Sequence, residues 1–462
     1  MASGVRDSLI TFAGKLTVML LALATQSALA WFLGPAGRGS YAVCMVLAMI
    51  LALVCMFGFE GGCFYYVAAG KLSVSEGVSH LLSLGGLGCL LAAAVGMAVI
   101  RLPLEFFSKA SPESFHVALL VIPAAFFSLN LGMIFLARQD FLWYAGMPVL
   151  QSFCQLIAAL VLVGLLKWGV NGALLSYVAG GATATLVALV MLRLRHGLRL
   201  TGVSWEVTRK VLSYGFRYYF SKISNIMNVQ IGTIILAMLA SRDEVGLFSM
   251  AMVLPVRVLA IPETIGAVIL PRVAADAAGR PKLVMQCARL TGVVSGVVLL
   301  VGAVLAKWLV PVLFSPRFIP SVAIIWLLAP GFWLRSIAKM PHAYFVGSNR
   351  PGVSSIAVAV GVVTNMAGML LLYPVLGLLG AGVATSLGYL VSSLILTGYF
   401  WRIAGLGPWE LGRFRKDDLA AFRQFWAGLR RRLSPQRQAD PQGQTQQPDT
   451  LTQGGPEEPP LP

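Results

Sequence analysis

The sequence predicts an all-α polytopic membrane protein of about twelve transmembrane helices, arranged as two six-helix parallel repeats around a central cavity. Three observations carry that expectation: the scarcity of charge, the number and length of apolar runs, and a chain that resembles itself after a little over two hundred residues. Of the 462 residues, 58% are hydrophobic and only 11% charged, with a mean hydropathy of +0.80. Soluble domains carry roughly 25% charged residues, so most of this surface is expected to meet lipid. A single soluble core would not grow to this length, whereas a membrane bundle is not bound by that limit.

A spanning helix needs about 20 mostly apolar residues. Such runs lie near 9–33, 40–69, 80–100, 115–137, 142–166 and 171–192, and after a basic break near 213–240, 246–271, 288–310, 318–345, 351–373 and 377–401. The first run is longer than the apolar core of a signal peptide and equally long runs follow it, so it reads as a retained helix. With the N-terminus inside, the inner segments hold thirteen basic residues, among them Arg138, Arg193, Arg209 and Arg289. The outer loops hold seven, including Arg38, Arg101 and Arg242. Basic residues gather on the cytoplasmic side, so both termini are placed inside. The same rule accounts for the net charge of +17. The solvated basic patches are too short for a nucleic-acid surface, and no nucleic-acid partner is expected.

The internal repeat rests on three separated places. Gly39-Ser40-Tyr41 precedes Gly246-Leu247-Phe248 by 207 positions, and Ser111-Pro112 precedes Ser315-Pro316 by 204. Gly169-Val170-Asn171-Gly172-Ala173 precedes Gly377-Leu378-Leu379-Gly380-Ala381 by 208. Six helices repeated in the same order and orientation form a parallel repeat, which transporters use to enclose a cargo site between halves. No filter-like loop points to a channel. The expected organisation is an N-terminal lobe over 1–200, a C-terminal lobe over 201–405, an amphipathic cytoplasmic surface helix over 406–433 and a disordered tail over 434–462. In the surface helix, Leu419, Phe422, Trp426, Leu429 and Leu433 make one apolar stripe beside Arg423, Arg430, Arg431 and Arg432, a pattern suited to anionic lipid headgroups. The tail is rich in Pro, Gln and Gly with almost no large apolar residue.

Ionisable residues inside spans cost about 2.5–3.5 kcal/mol each on insertion scales, so they mark candidate sites. Here they are Lys15, Glu60, Arg217, Lys222, Arg257, Glu263, Arg335 and Lys339. Six are cationic and two acidic, and they crowd the inner half of the membrane, which suits a large anionic headgroup entering from the cytoplasm. Lys15 and Lys222 are 207 positions apart, and Arg335 and Lys339 share a helix face at i, i+4. Lys15, Arg217 and Lys222 lie close enough to an interface to snorkel. Glu60 and Glu263 suit counter-ions in a structural pair, while Arg257 and Arg335 are too deep to snorkel cheaply and point to a polar cavity. Pro255, Pro262 and Pro271 give the eighth run several ways to kink.

Enzyme signals are absent from the sequence. There is no Walker A motif, the four histidines (His80, His116, His196 and His342) lack ligand spacing, and every loop is too short to carry a glycosyltransferase site. The six cysteines lie in apolar runs with no C-x-x-C, so neither a metal site nor a disulfide is expected.

Trp31-Phe32-Leu33-Gly34-Pro35-Ala36-Gly37-Arg38-Gly39-Ser40-Tyr41-Ala42 resembles the junction between the first two helices of polysaccharide-biosynthesis flippases. So does Phe57-Gly58-Phe59-Glu60-Gly61-Gly62 with Tyr65-Tyr66 and Ala69-Gly70-Lys71, at the end of the second helix. Tyr214-Gly215 through Asp243-Glu244-Val245-Gly246-Leu247-Phe248 is similar to the family's second repeat, and Pro262-Glu263 to Leu270-Pro271 to the end of its eighth helix. These flippases belong to the multidrug/oligosaccharidyl-lipid/polysaccharide exporter superfamily, and the resemblance covers residues 1–405. It implies two lobes around a V-shaped cavity that rock between inward-open and outward-open states in the inner membrane. It implies a cargo of oligosaccharide on a polyprenyl diphosphate, carried by cavity cations of which Arg257 matches the family's deep helix-eight arginine. Twelve spans rather than fourteen favour the O-antigen or exopolysaccharide branch. Polysaccharide polymerases or glycosyltransferases are the implied protein partners. No cofactor is implied, and the coupling ion, H⁺ or Na⁺, stays open. A multidrug exporter of the same superfamily would prefer acidic cavity residues, and a non-transporting scaffold for polysaccharide enzymes would not need Arg257 or Arg335 inside the bilayer.

Overall fold

The computed structural model describes residues 2–56, 58–263, 265–266, 281–348, 350–405 and 407. The expected surface helix and tail therefore lie outside the described residues, apart from Gly407. All regular structure among the described residues is helical. Thirteen α-helices among them run in the order α1 (Ala2–Met56), α2 (Phe59–Ala68), α3 (Val74–Val99), α4 (Pro112–Leu119), α5 (Val121–Ala137), α6 (Phe141–Ala159) and α7 (Gly169–His196), followed by α8 (Trp205–Leu239), α9 (Arg242–Val258), α10 (Pro281–Phe314), α11 (Ser321–Gly347), α12 (Pro351–Leu376) and α13 (Leu378–Ala404). A π-helical turn over Leu160–Leu165 extends α6, and short 3-10 turns cover Glu105–Lys109 and Pro316–Phe318.

Ten stretches of the described residues are long and apolar enough to cross a membrane. The count of twelve is recovered from two places. The stretch Ile10–Leu53 has 44 residues, about twice what one crossing requires. It is broken at Gly34, whose φ of 63° and ψ of −177° interrupt the helical path just before Pro35, a conformation that costs glycine nothing. The two crossings expected over 9–33 and 40–69 thus meet at a single glycine rather than across a six-residue loop. The second crossing breaks again at Gly58, where φ is 71°. The other missing span is α8, in which only Met227–Leu239 is strongly apolar. Its N-terminal turns carry exposed charge, with a Lys210–Glu206 pair at 2.6 Å, which extends the helix eight residues before its expected start at 213.

The repeat has a conformational counterpart. Gly169 and Gly377 open α7 and α13 with φ of 56° and 57°. Gly197 and Gly405, again 208 positions apart, end the same two helices with φ of 60° and 64°. Ser111 and Ser315 each cap a helical turn through the side-chain oxygen. Left-handed glycines and serine caps thus recur at matching positions of the two sequence halves.

The halves meet at two glycine seams. At the Gly34 end, α1 and α9 approach so closely that a Cβ on Gly39 would run into the Arg242 carbonyl, and one on Gly246 into the Pro35 carbonyl. These are the repeat-related glycines. The segment between α3 and α4 binds this seam from above: Ser40 donates to the Lys109 carbonyl at 2.5 Å and Arg242 donates to the Ser108 carbonyl at 2.7 Å. At the opposite end, Gly58 of the α1–α2 break meets Gly215 of α8, and Gly62 meets the Val211 carbonyl. Tyr65 and Tyr214 stack there at 4.1 Å with an interplanar angle of 12°. Small residues let helix backbones touch where lipid supplies no hydrophobic drive. The contacts hold the halves together at both ends.

Candidate functional site

Helix α11 supplies the centre of the site. Arg335, Lys339 and His342 recur at i, i+4 and i+7, so they form one stripe along its length. The stripe faces a pocket walled by Asn228 of α8, Ser354, Ser355 and Val358 of α12, and Ser392 and Ser393 of α13, with a cavity volume of about 90 Å³.

Arg335 is only 8% exposed, and its charge is held by two groups. Its Nη1 donates to the Asn228 side-chain carbonyl at 2.8 Å. Its guanidinium lies 4.4 Å from the centroid of the Tyr389 ring, close enough for cation–π attraction. Tyr389 is fixed in turn by Phe332, edge to face at 5.0 Å, and by a hydrogen bond from its hydroxyl to the Asn228 backbone carbonyl at 3.4 Å. One arginine therefore ties α8, α11 and α13 around a single polar point. Neither a neutral amide nor an aromatic face cancels its charge, so the guanidinium keeps a full positive charge available to a ligand.

Lys339 is held differently. Its ammonium donates to Glu263 at 3.0 Å; the lysine side chain is 17% exposed and the glutamate 58%. The pair joins the chain just beyond α9 to the middle of α11 at the edge of the pocket. Ser354 adds a buried hydroxyl in the pocket wall with no hydrogen-bond partner among the described residues.

Of the eight charged residues singled out from the sequence, the structure brings together Arg335, Lys339 and Glu263. Arg257 is half-buried on α9, outside the walls of this pocket, and Lys15 is exposed on α1. The side chains of Glu60, Arg217 and Lys222 lie outside the described residues. The pocket sits inside the second half of the chain, among α8, α11, α12 and α13, whereas the sequence placed the site between halves. Sequence reasoning passed over His342, Asn228 and Tyr389. His342 was legible as the third member of the α11 stripe; Asn228 and Tyr389 carry no pattern that marks them. Among the described residues, no cluster of three His, Cys, Asp or Glu side chains could hold a metal ion.

Comparisons with known proteins agree with this architecture. A family model described as polysaccharide biosynthesis protein matches residues 5–275. No curated protein matches the chain. Among solved structures, the lipid II flippase MurJ in an inward closed conformation superposes with a TM-score of 0.71 at 12% identity, covering 93% of this chain and 97% of that one. An inward-facing multidrug resistance MATE family transporter of the MOP superfamily gives 0.67 at 15% identity, covering 83% and 95%. A mutant of the Vibrio cholerae MATE transporter VcmN gives 0.55 at 14% identity, covering 89% and 99%. At these identities the likeness is one of fold.

Proposed function

This chain belongs to the polysaccharide biosynthesis protein family, and from that footing we propose that it is a flippase for polyprenyl-diphosphate-linked oligosaccharide. It moves this cargo from the inner to the outer leaflet of the cytoplasmic membrane by alternating access, for O-antigen or exopolysaccharide synthesis. The observation that carries the reading is the α11 stripe. A guanidinium and an ammonium share one face of a spanning helix and open on a pocket lined by hydroxyls. A diphosphate presents several acceptor oxygens and a charge that two cations in a low-dielectric site would bind strongly.

In this scheme Glu263 is a placeholder. It occupies Lys339 until the diphosphate replaces it, so an empty site never leaves a bare ammonium in the bilayer. Arg257, Lys15, Arg217 and Lys222 serve the later stages of passage, when the lobes 1–200 and 201–405 part. The two glycine seams are the gates, and a cargo-free protein rests with both closed. Glu263→Ala is therefore expected to change the melting temperature by no more than a few degrees while strengthening the binding of a prenyl diphosphate several-fold. Equal or weaker binding in that variant removes the placeholder role.

The basic tail then meets anionic lipids of the inner leaflet, with polysaccharide polymerases or glycosyltransferases as neighbours. Both termini are cytoplasmic. Two of the basic residues that set this orientation, Arg38 and Arg289, are buried; removing one from each side of the count leaves the bias unchanged in direction. A reporter active only outside the cytoplasm is expected to be silent when fused after Lys416 and active near Arg242, and activity at Lys416 reverses the orientation. The function itself is tested by complementing a strain that lacks its lipid-linked oligosaccharide flippase. Restored surface polysaccharide supports the reading, and none at normal membrane levels counts against it.

A further inference from the structure

Arg38 is a buried charge without a counter-charge. It is 5% exposed, and its Nε and Nη1 atoms have no hydrogen-bond partner among the described residues. No carboxylate among them lies within ion-pair distance either; the guanidinium rests against the Tyr41 ring, 4.9 Å from its centroid. Two carboxylates that frame the α1–α9 seam are taken up elsewhere. Glu105 accepts from Ser108 and pairs with Lys109, and Glu244 accepts from Ser241 and Tyr373. A buried cation with unmet donors weakens the fold unless something supplies the missing acceptors.

The internal repeat indicates that the packing does not ask for this charge. At the offset of 207 that relates Gly39 to Gly246, Arg38 corresponds to Val245 and Tyr41 to Phe248. Both counterparts are buried, so the second half fills the same places with apolar side chains. An arginine where a valine packs serves something other than the helix contact. Its position adds to its charge. Arg38 stands in the first turn of the crossing that begins after the Gly34 break. Helix side chains tilt toward the N-terminal end, which carries the guanidinium back toward that break, and a helix N-terminus is itself electropositive. Arg317 reaches the same break from the second half: a Cβ on Gly34 would stand 3.3 Å from its Nη1. Arg317 too has no ion-pair partner among the described residues. Two guanidiniums and a helix start with no carboxylate between them suit an oxyanion.

We propose that Arg38 and Arg317 form a second anion site, for a phosphate-class oxyanion, at the Gly34 end of the seam, which the proposed orientation places outside. It is separate from the α11 pocket and is reached when α1 and α9 part, so an anion that binds there selects the parted seam. Its ligand is a phosphate group, carried by the outgoing cargo or free in the outer solution. The first of these sources rests on the flippase reading; the site itself does not.

The test measures inorganic pyrophosphate binding to the full chain in phosphatidylcholine nanodiscs, with the α11 pocket disabled by Arg335→Ala and Lys339→Ala. Pyrophosphate should still bind to that double variant. Adding Arg38→Val should abolish the remaining binding, and adding Arg38→Lys should keep part of it, because an ammonium holds the charge without the planar fork. No binding to the double variant overturns the proposal, as does binding that Arg38→Val leaves intact. The melting temperature separates a ligand site from a strut. Arg38→Val installs the residue of the other half and should hold or raise it; a fall of several degrees with the loss of binding makes Arg38 structural and is contrary. Arg317→Ala keeps the test valid if Arg38→Val misfolds: Arg317 is exposed, and its loss should weaken the same binding, while unchanged binding is contrary. Export from proteoliposomes then distinguishes the sources. Slower export of lipid-linked oligosaccharide by Arg38→Val assigns the site to the outgoing headgroup, and unchanged export with pyrophosphate binding lost assigns it to free phosphate. Failure of the flippase reading looks different: the unaltered protein then exports no lipid-linked oligosaccharide, whatever the pyrophosphate measurements show.

Discussion

Arg335→Ala is expected to abolish export while the protein still reaches the membrane. The residue is nearly enclosed, and its contacts are an amide oxygen at 2.8 Å and an aromatic face at 4.4 Å. Both hold the guanidinium in place without neutralising it. A charge-assisted contact to phosphate is worth about 1.5–3 kcal/mol, so its loss should cut cargo binding roughly tenfold to a hundredfold. Arg335→Lys should recover only part, because an ammonium has neither the planar fork nor the flat face that lies over Tyr389. Asn228→Ala separates binding from architecture. It removes the same hydrogen bond but keeps the cation, so the loss should be mild. If Asn228→Ala were as damaging as Arg335→Ala, the arginine would be a strut between helices and not a ligand for the cargo.

The second large effect is expected at the seam of α1 and α9. Gly39→Val or Gly246→Val cannot be absorbed by a rotamer change, because the first added carbon already meets a backbone carbonyl. The helices must separate, and that end of the protein should stay open. Spin labels at Trp31→Cys and Asp243→Cys, in a background without other cysteines, should report a longer separation in the Gly246→Val protein, with transport lost. Gly58→Val and Gly215→Val should trap the other end, where those two glycines meet. A valine at Gly246 with an unchanged label distance and intact transport would mean that the seam does not open in the cycle.

These two predictions also separate what was legible in the sequence from what was not. Apolar length indicated the helices and the 207-residue offset marked Gly39 and Gly246 as counterparts, because membrane crossing imposes residue types directly; that helices α1 and α9 touch beside these two glycines came only from the structure. Arg335 and Lys339 were legible as a pair for the same reason: an i, i+4 cation pair inside an apolar run has few structural uses. What could not be read was depth in three dimensions. Arg38 reads as a loop residue but is buried against Tyr41, with its guanidinium 4.9 Å from that ring. Arg257 reads like Arg335, too deep to snorkel, yet it is not among the residues lining the pocket with it. Hydropathy gives position along the membrane normal and says nothing about which face of a helix a neighbour covers. Asn228 and Tyr389 were silent because a single asparagine or tyrosine in a span is common, and only the tertiary arrangement gives these two a cation to hold. The π-helical turn at Leu160–Leu165 had no signal in its composition, since its residues are those of an ordinary span.

Carriage of an anionic lipid headgroup by the cation-lined pocket, as proposed, is tested most directly by transbilayer movement in proteoliposomes. Oligosaccharide on a polyprenyl diphosphate, confined at the start to the inner leaflet, is followed by its exposure to an impermeant glycosidase. The unaltered protein is expected to expose the cargo and the Arg335→Ala, Lys339→Ala double variant is not, with neither moving a hydrophobic cation. Equal exposure by the double variant, or movement of the hydrophobic cation in place of the cargo, would contradict it.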